Sequence, residues 1–500
     1  MHLDLILSMA ADVHGDRVAV GPAADGLSVQ ELSRRARRLG VALSGRPIEH
    51  VGLVDLNSEA VPLTMFGAAM AGRPFVPMNY RLPDEQLRRL VERIAPAVVV
   101  AGEGVAERLG PIEGIELVSR AELLELSADE SIEPDIEVDP DPDAVAVLLY
   151  TSGTTGEPKA AMLRHLHLGS YIMTTVELGG AEPDEAALVS VPPYHIAGIS
   201  AALSSVYGGR RVVYLESFDP EEWVRTARAE QVTHAMVVPT MLNRILDVIE
   251  ADGGGLPSMR TLSYGGGPMP LPVIERAMRL LPDTGFVNAY GLTETSSTIA
   301  LLGPEDHRTA MASSDPAVRA RLGSVGQPLP TLEVTVRDEL GREVPTGTVG
   351  ELWVRGGQVS GEYRGAEGSD DDGWFCTRDS VHLDEDGYLF VHGRRDDVIG
   401  RGGENLSPGE IEAALLEHES VEQAAVVGIP DTEWGERVVA AVVPAPDRKV
   451  VESELQDHVR ARLRSTKTPE RIAVLDELPF NETGKLLRRT LREELAAAFT

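Results

Sequence analysis

Residues Ala144–Tyr150 read Ala-Val-Ala-Val-Leu-Leu-Tyr, an apolar run with no alternation. A strand of that composition has no face to give to water, so the sheet that holds it must be covered on both sides. Earlier stretches fit this demand. His50–Leu56, the small-residue run around Val61–Ala71 and Pro96–Gly102 alternate strand-like and helix-like character. That is the rhythm of strands crossing over through helices in a mainly parallel sheet, and it predicts layered α/β architecture.

The chain has 500 residues, 43% of them hydrophobic, which is more than one core accommodates. From Thr331 the pattern shifts to period two, with turn signals at Gly341 and at Asp386-Gly387, so a hairpin-rich subdomain closes a large domain over 1–395. Beyond it, Ser407 reads as a helix cap, Pro408 as the first helical residue and Glu410 as the partner in a capping box. A small, mobile α+β domain is expected over 396–500. Segment Ala128–Asp143, with eight acids, three prolines and no apolar period, reads as an exposed connection.

Charge removes whole classes of function. With 79 acidic against 46 basic residues the net charge is -33, which repels nucleic acid and anionic membrane surfaces. A local pocket of cations and backbone N–H groups can still hold a small anion. Cys376 is the single cysteine, so no intramolecular disulfide forms, and the opening residues have an acid at Asp4 and no basic start. A cytoplasmic protein without a leader or membrane span is expected.

Directly after the buried strand stands Thr151-Ser152-Gly153-Thr154-Thr155-Gly156-Glu157-Pro158-Lys159. Hydroxyls and glycines let a backbone curl round a polyphosphate, and Lys159 adds a movable positive charge. It is not the P-loop of the NTPases, because Pro158 precedes the lysine and no Ser or Thr follows it.

Six motifs in order resemble the adenylate-forming superfamily, which includes acyl- and aryl-CoA synthetases, peptide-synthetase adenylation domains and luciferase. Besides the loop these are Tyr264–Pro268, Tyr290–Thr295, Gly373–Asp379, Gly393–Asp397 and Asn481–Lys485. The resemblance implies ATP, Mg2+ and coenzyme A as cofactors. It implies that Tyr290 stacks on adenine beside Gly266, Gly267 and Pro268, with Asn288, Ala289 and Gly291 contributing to the nucleotide site. Thr293 would contact phosphate and Glu294 would ligate the metal. Asp379 would accept from the ribose hydroxyls, although Arg378 stands where the family commonly has glycine, which leaves the local backbone shape open. Arg394 would support the nucleotide, whereas Arg395 reads as exposed charge. Lys485 would lie between substrate carboxylate and α-phosphate. Asp396 matches the hinge that swings the small domain, bringing Gly402 and Gly403 to the acyl site for the thiol step. Trp434 either lines that thiol channel or is a buried structural residue, and Lys467 and Arg471 are candidates for the CoA phosphates.

Pro192–Gly198 matches the segment beside the acyl pocket, with His195 either a gate at the carboxylate end or a satisfied core residue. The segment lacks the aspartate that amino-acid adenylation domains carry, so an amino acid is disfavoured. Ala197, Gly198, Gly265, Gly266, Gly267, Ala289 and Gly291 suggest room for a bulky aromatic, alicyclic or branched acid. The expected reaction is ligation of that acid to CoA through an acyl-adenylate. CoA is preferred as acceptor because the chain ends soon after Lys485 without a carrier domain. A free-standing carrier protein, a member performing mainly one half-reaction, and a homodimer all stay open. A non-catalytic paralogue is disfavoured by the presence of Lys485 and Glu294.

Overall fold

The computed structural model describes residues 1–151, 159–364, 366–401, 404–431, 434–480 and 486–499, with the side chains of 366, 367, 396 and 405 outside the description. The apolar run becomes the strand Val145–Thr151. It pairs in parallel with Phe75–Pro77, and the parallel set continues through His50–Val54, Ala97–Ala101 and Ile115–Ser119. Both faces are covered. Val147 and Leu149 enter one core with the wholly buried helix Ala60–Met70, while Leu148 enters another with Leu87, Leu90 and Val91 of the helix Asp84–Glu92. On its free side the strand is joined by the antiparallel strand Lys159–Arg164, so the two strand ends bracket residues 152–158.

A second sheet carries the parallel strands Val18–Val20, Arg211–Tyr214, Ala186–Val189, His234–Val237, Thr261–Gly265 and Gly285–Leu292. Val189 and Val212 reach the same core as Val147, so the two sheets share one helical layer. The chain then reverses through a 3-10 turn, Thr293–Thr295, into the antiparallel strand Ser297–Leu302. Residues 333–394 form the expected hairpins, with Glu333–Arg337, Gly350–Arg355, Phe375–Leu383 and Leu389–Arg394 antiparallel in that order.

The last core begins at Ile399. Strands Val421–Asp431 and Gly435–Pro444 form a long hairpin, Arg471–Val474 joins it in parallel, and helices Pro408–Leu416, Glu452–Arg462 and Arg488–Phe499 cover it. This is the small α+β unit the sequence predicts.

Two local expectations change. Ser407 and Pro408 do start a helix, but Ser407 makes no side-chain cap; its hydroxyl donates to the His392 carbonyl at 2.6 Å, and Glu410 binds Lys467 instead of closing a capping box. Tying the helix start to the preceding strand outweighs a local cap. Segment 128–143 is exposed at its acids, yet Ile132, Pro134, Ile136 and Val138 are half-buried at every second position, with Ile136 and Val138 against the first core. The acids had hidden an extended, one-sided strap. Among the described residues, no helix is long and apolar enough to cross a membrane.

Candidate active site

The turn at Thr293–Thr295 is made by backbone crowding. At Gly291 an added Cβ would lie 1.6 Å from the Ser297 carbonyl oxygen, and the ladder slips register at Tyr290/Gly291. Ser296 and Ser297 then adopt φ values of 54° and 121°. Such conformations in non-glycine residues cost about 1–3 kcal/mol each and persist only where surroundings hold them. Here the Thr295 hydroxyl bonds back to Leu292, and the Gln358 amide donates to the carbonyls of Thr295 at 3.0 Å and Thr298 at 2.7 Å.

The turn presents Glu294, only 8% exposed. Its backbone carbonyl accepts from Ser360 N–H at 2.8 Å, and its carboxylate oxygen Oε1 accepts from the Tyr363 hydroxyl. Burial, and then the Glu294 charge, push the Tyr363 phenol well above its ordinary pKa, so it stays a donor. The Tyr363 ring faces Lys159, whose Nζ stands 5.6 Å from the ring centroid. Thr151 closes this corner, its hydroxyl donating to the Lys159 carbonyl at 3.4 Å. Thr293, half-buried, precedes Glu294 in the same turn.

A second carboxylate, Asp379, is 5% exposed at the other end of the Tyr290 side chain. The Tyr290 hydroxyl donates to its Oδ2, Arg394 Nε stands 3.4 Å from its Oδ1, and its backbone N–H donates to the Thr377 hydroxyl at 3.1 Å. Burial first, then Asp379, raise the Tyr290 phenol well above its usual range. Burial opposes the Arg394 charge, yet Asp379 and Glu294 outweigh it and hold its pKa high. Arg378 has φ 60°, so the backbone shape that suits glycine is kept despite the side chain, which lies exposed. Arg395 is an exposed partner of Glu351, as expected of surface charge.

Gly266, Gly267 and Pro268 form the turn after Thr261–Gly265, and the pairing of Gly265 with Ala289 sets that turn beside Tyr290. Asn288 is buried in the same strand, and its amide donates to the Ser324 carbonyl at 3.1 Å. Three of the small residues do not leave the room expected of them, whereas an added Cβ at Gly266 would meet only Val238 Cγ1 at 3.4 Å. Added Cβ atoms at Gly198, Gly265 and Gly291 would meet the carbonyl oxygens of Pro192, Ala289 and Ser297 at 2.8, 2.3 and 1.6 Å, so neighbouring backbone fills those places. Ala197 is half-buried on the helix Ile196–Gly208. His195 stands at the start of that helix, half-buried, its ring 4.9 Å from that of Tyr194.

In the small unit Trp434 is 46% exposed, which overturns a buried structural role. It sits under the Arg401 guanidinium at 5.7 Å, next to the strands Ile399–Arg401 and Glu404–Leu406 that bracket residues 402–403. Lys467 is held by Glu410, and Arg471 approaches Glu452 at 3.3 Å, so both CoA-phosphate candidates already have carboxylate partners. Lys467 also lines an open cleft of about 540 Å³ with Arg462 and Arg464. Ser152, Gly153, Thr154, Thr155, Gly156, Gly402, Gly403 and Lys485 lie outside the described residues, as does the Asp396 side chain. Tyr363 was missed from the sequence, since its partner Glu294 is 69 positions away and no local pattern marks the pair.

The profile of a family described as AMP-binding enzyme matches residues 7–364, and that of the AMP-binding enzyme C-terminal domain matches residues 410–485. A feruloyl-CoA synthase from an Amycolatopsis species is 34% identical over 476 residues, covering 93% of each chain. A fatty acid–[acyl-carrier-protein] ligase from Streptomyces coeruleorubidus is 32% identical, covering 93% of this chain and 91% of its own. The o-succinylbenzoate CoA synthetase of Bacillus subtilis, solved with its acyl-adenylate intermediate, matches with a TM-score of 0.82 at 28% identity over 97% of each chain. The chain therefore belongs to the AMP-binding enzyme family, within the adenylate-forming superfamily.

Proposed function

We propose that the protein is an AMP-forming acid:CoA ligase for a bulky aromatic carboxylic acid. The acid attacks the α-phosphate of ATP, releasing pyrophosphate, and the acyl group then passes to the CoA thiol, releasing AMP. One observation carries the reading: Lys159, Glu294 with Tyr363, and the Tyr290–Asp379–Arg394 cluster come from three different sheets yet meet on one seam.

Adenylation must bring a carboxylate to a triphosphate, and like charges resist it. Lys159 and Arg394 supply positive charge where that repulsion develops. Asp379 offers a buried carboxylate to vicinal ribose hydroxyls. The flat Tyr290 ring suits adenine, with the Gly266–Pro268 turn beside it. Glu294 fits a magnesium site: it is a buried carboxylate oriented by the Tyr363 hydroxyl, and Mg2+ prefers one or two carboxylates with phosphate oxygens and water. When bound there, the ion would offset phosphate charge.

In this reading the domains divide at 395/396, with Asp396 as hinge. Lys485 serves the first step, and residues 402–403 admit the pantetheine arm in the second. The aromatic acid is supported by relatives named for feruloyl and 2-succinylbenzoate substrates rather than by pocket room. A relative named for a carrier-protein substrate makes acceptor identity part of the test.

The experiment is a panel of acids incubated with ATP, Mg2+ and CoA. Aromatic acids are expected to yield CoA thioester and AMP. Robust turnover of acetate or an unbranched C16 acid alone would overturn the substrate class, and thioester formed only on a carrier protein would overturn the acceptor.

A further inference from the structure

We infer that Tyr363 is a positioning residue for the adenylation step, holding the Glu294 carboxylate and the Lys159 ammonium in one register so that a metal-bound triphosphate is gripped from both sides. This rests on the ligase reading above. Tyr363 lies in a short segment fastened in two directions. Toward the second sheet, Ser360 and Gly361 donate their backbone N–H groups to the Glu294 carbonyl at 2.8 and 3.2 Å. Toward the first sheet, Tyr363 pairs with Ala161, Arg364 N–H donates to the Ala160 carbonyl at 2.9 Å, and the Ser360 hydroxyl donates to the Met162 carbonyl.

The strand so engaged is Lys159–Arg164, which leaves the phosphate-loop segment. Arg164 clamps the neighbouring Glu362 with two hydrogen bonds to Oε2, at 2.7 and 3.0 Å, which stops the segment from sliding. At the side-chain level Tyr363 repeats the bridge that the backbone makes. Its hydroxyl fixes the plane of the Glu294 carboxylate, and its ring face holds the Lys159 cation. A carboxylate on two flexible methylenes would otherwise sample several rotamers, and a hard, geometry-demanding cation such as Mg2+ binds best to a ligand already oriented.

Tyr363→Phe separates the two contacts, because the ring stays over Lys159 while the donor to Glu294 is lost. The expected result is a rise of about tenfold in the Mg2+ concentration that half-saturates ATP–pyrophosphate exchange, the size of one lost hydrogen bond to a charged group. Mn2+ affinity in the presence of a non-hydrolysable ATP analogue, read by the paramagnetic resonance of free Mn2+, should fall by a similar factor. Thioester formation from a synthetic acyl-adenylate, which needs neither metal nor triphosphate, should hold. Tyr363→Leu, losing both contacts, should also weaken binding of the metal-free analogue.

Unchanged Mn2+ affinity and Mg2+ dependence in Tyr363→Phe would overturn the inference, as would an equal loss in both half-reactions. Failure of the wild-type protein to catalyse either half-reaction would instead sink the ligase reading, and the Mn2+ measurement would still judge Tyr363.

Discussion

The proposed nucleotide side and the proposed thiol side of the site are built in opposite ways. On the first, two carboxylates at 5% and 8% exposure each accept from the hydroxyl of a half-buried tyrosine, and strained backbone is braced by Gln358 and Thr295. On the second, Trp434 is 46% exposed and cations such as Lys467 are paired within the small unit itself. If the proposed roles hold, the difference teaches that one half of the chemistry is preorganised on the sheets, where charge stabilisation needs no rearrangement at the moment of reaction. In the proposed reading the other half uses an exposed surface that gains its partners when the small unit reorients.

The contrast can be broken by substitution. The largest effect is expected from Lys485→Ala, which should lower ATP–pyrophosphate exchange by a hundredfold to a thousandfold, on the order of losing one charge-stabilising group in a dry site. Next comes Asp379→Asn, which keeps an acceptor for Tyr290 but removes the charge facing Arg394. Equilibrium binding of AMP should weaken about tenfold, and unchanged binding would remove Asp379 from the ribose site.

Trp434→Ala should raise KM for CoA by about threefold, near the strength of one exposed aromatic contact, without lowering the melting temperature. A clear loss of stability would mean that the ring is structural after all. The smallest effect belongs to Arg378→Gly. Relief of about 1 kcal/mol of left-handed strain is nearly offset by added unfolded-chain freedom, so calorimetry should find the melting point almost unmoved. A large drop would show that the Arg378 side chain holds the loop.

How much of this was legible in sequence depended on how local the cause is. The buried strand, the hairpin rhythm after Thr331 and the helix starting at Pro408 are written in neighbouring residues, and the structure has them all. Tyr290, Glu294 and Asp379 were reached through motif resemblance, and their convergence follows from the fold. What stayed hidden was set by distant partners. Gly265 and Gly291 look like residues that make room, but only the three-dimensional pairing reveals the carbonyls of Ala289 and Ser297 against them. The Ser407 hydroxyl prefers the His392 carbonyl over its own helix, and Glu410 prefers Lys467, 57 positions away. In the acidic strap, charge at one set of alternate positions masked the burial of Ile136 and Val138 at the other.

The two-sided account is tested most directly by measuring both half-reactions separately in Lys485→Ala and Gly403→Leu. Lys485→Ala should lose ATP–pyrophosphate exchange while still forming thioester from a synthetic aromatic acyl-adenylate, and Gly403→Leu should do the reverse; equal losses in both steps for both variants would contradict it.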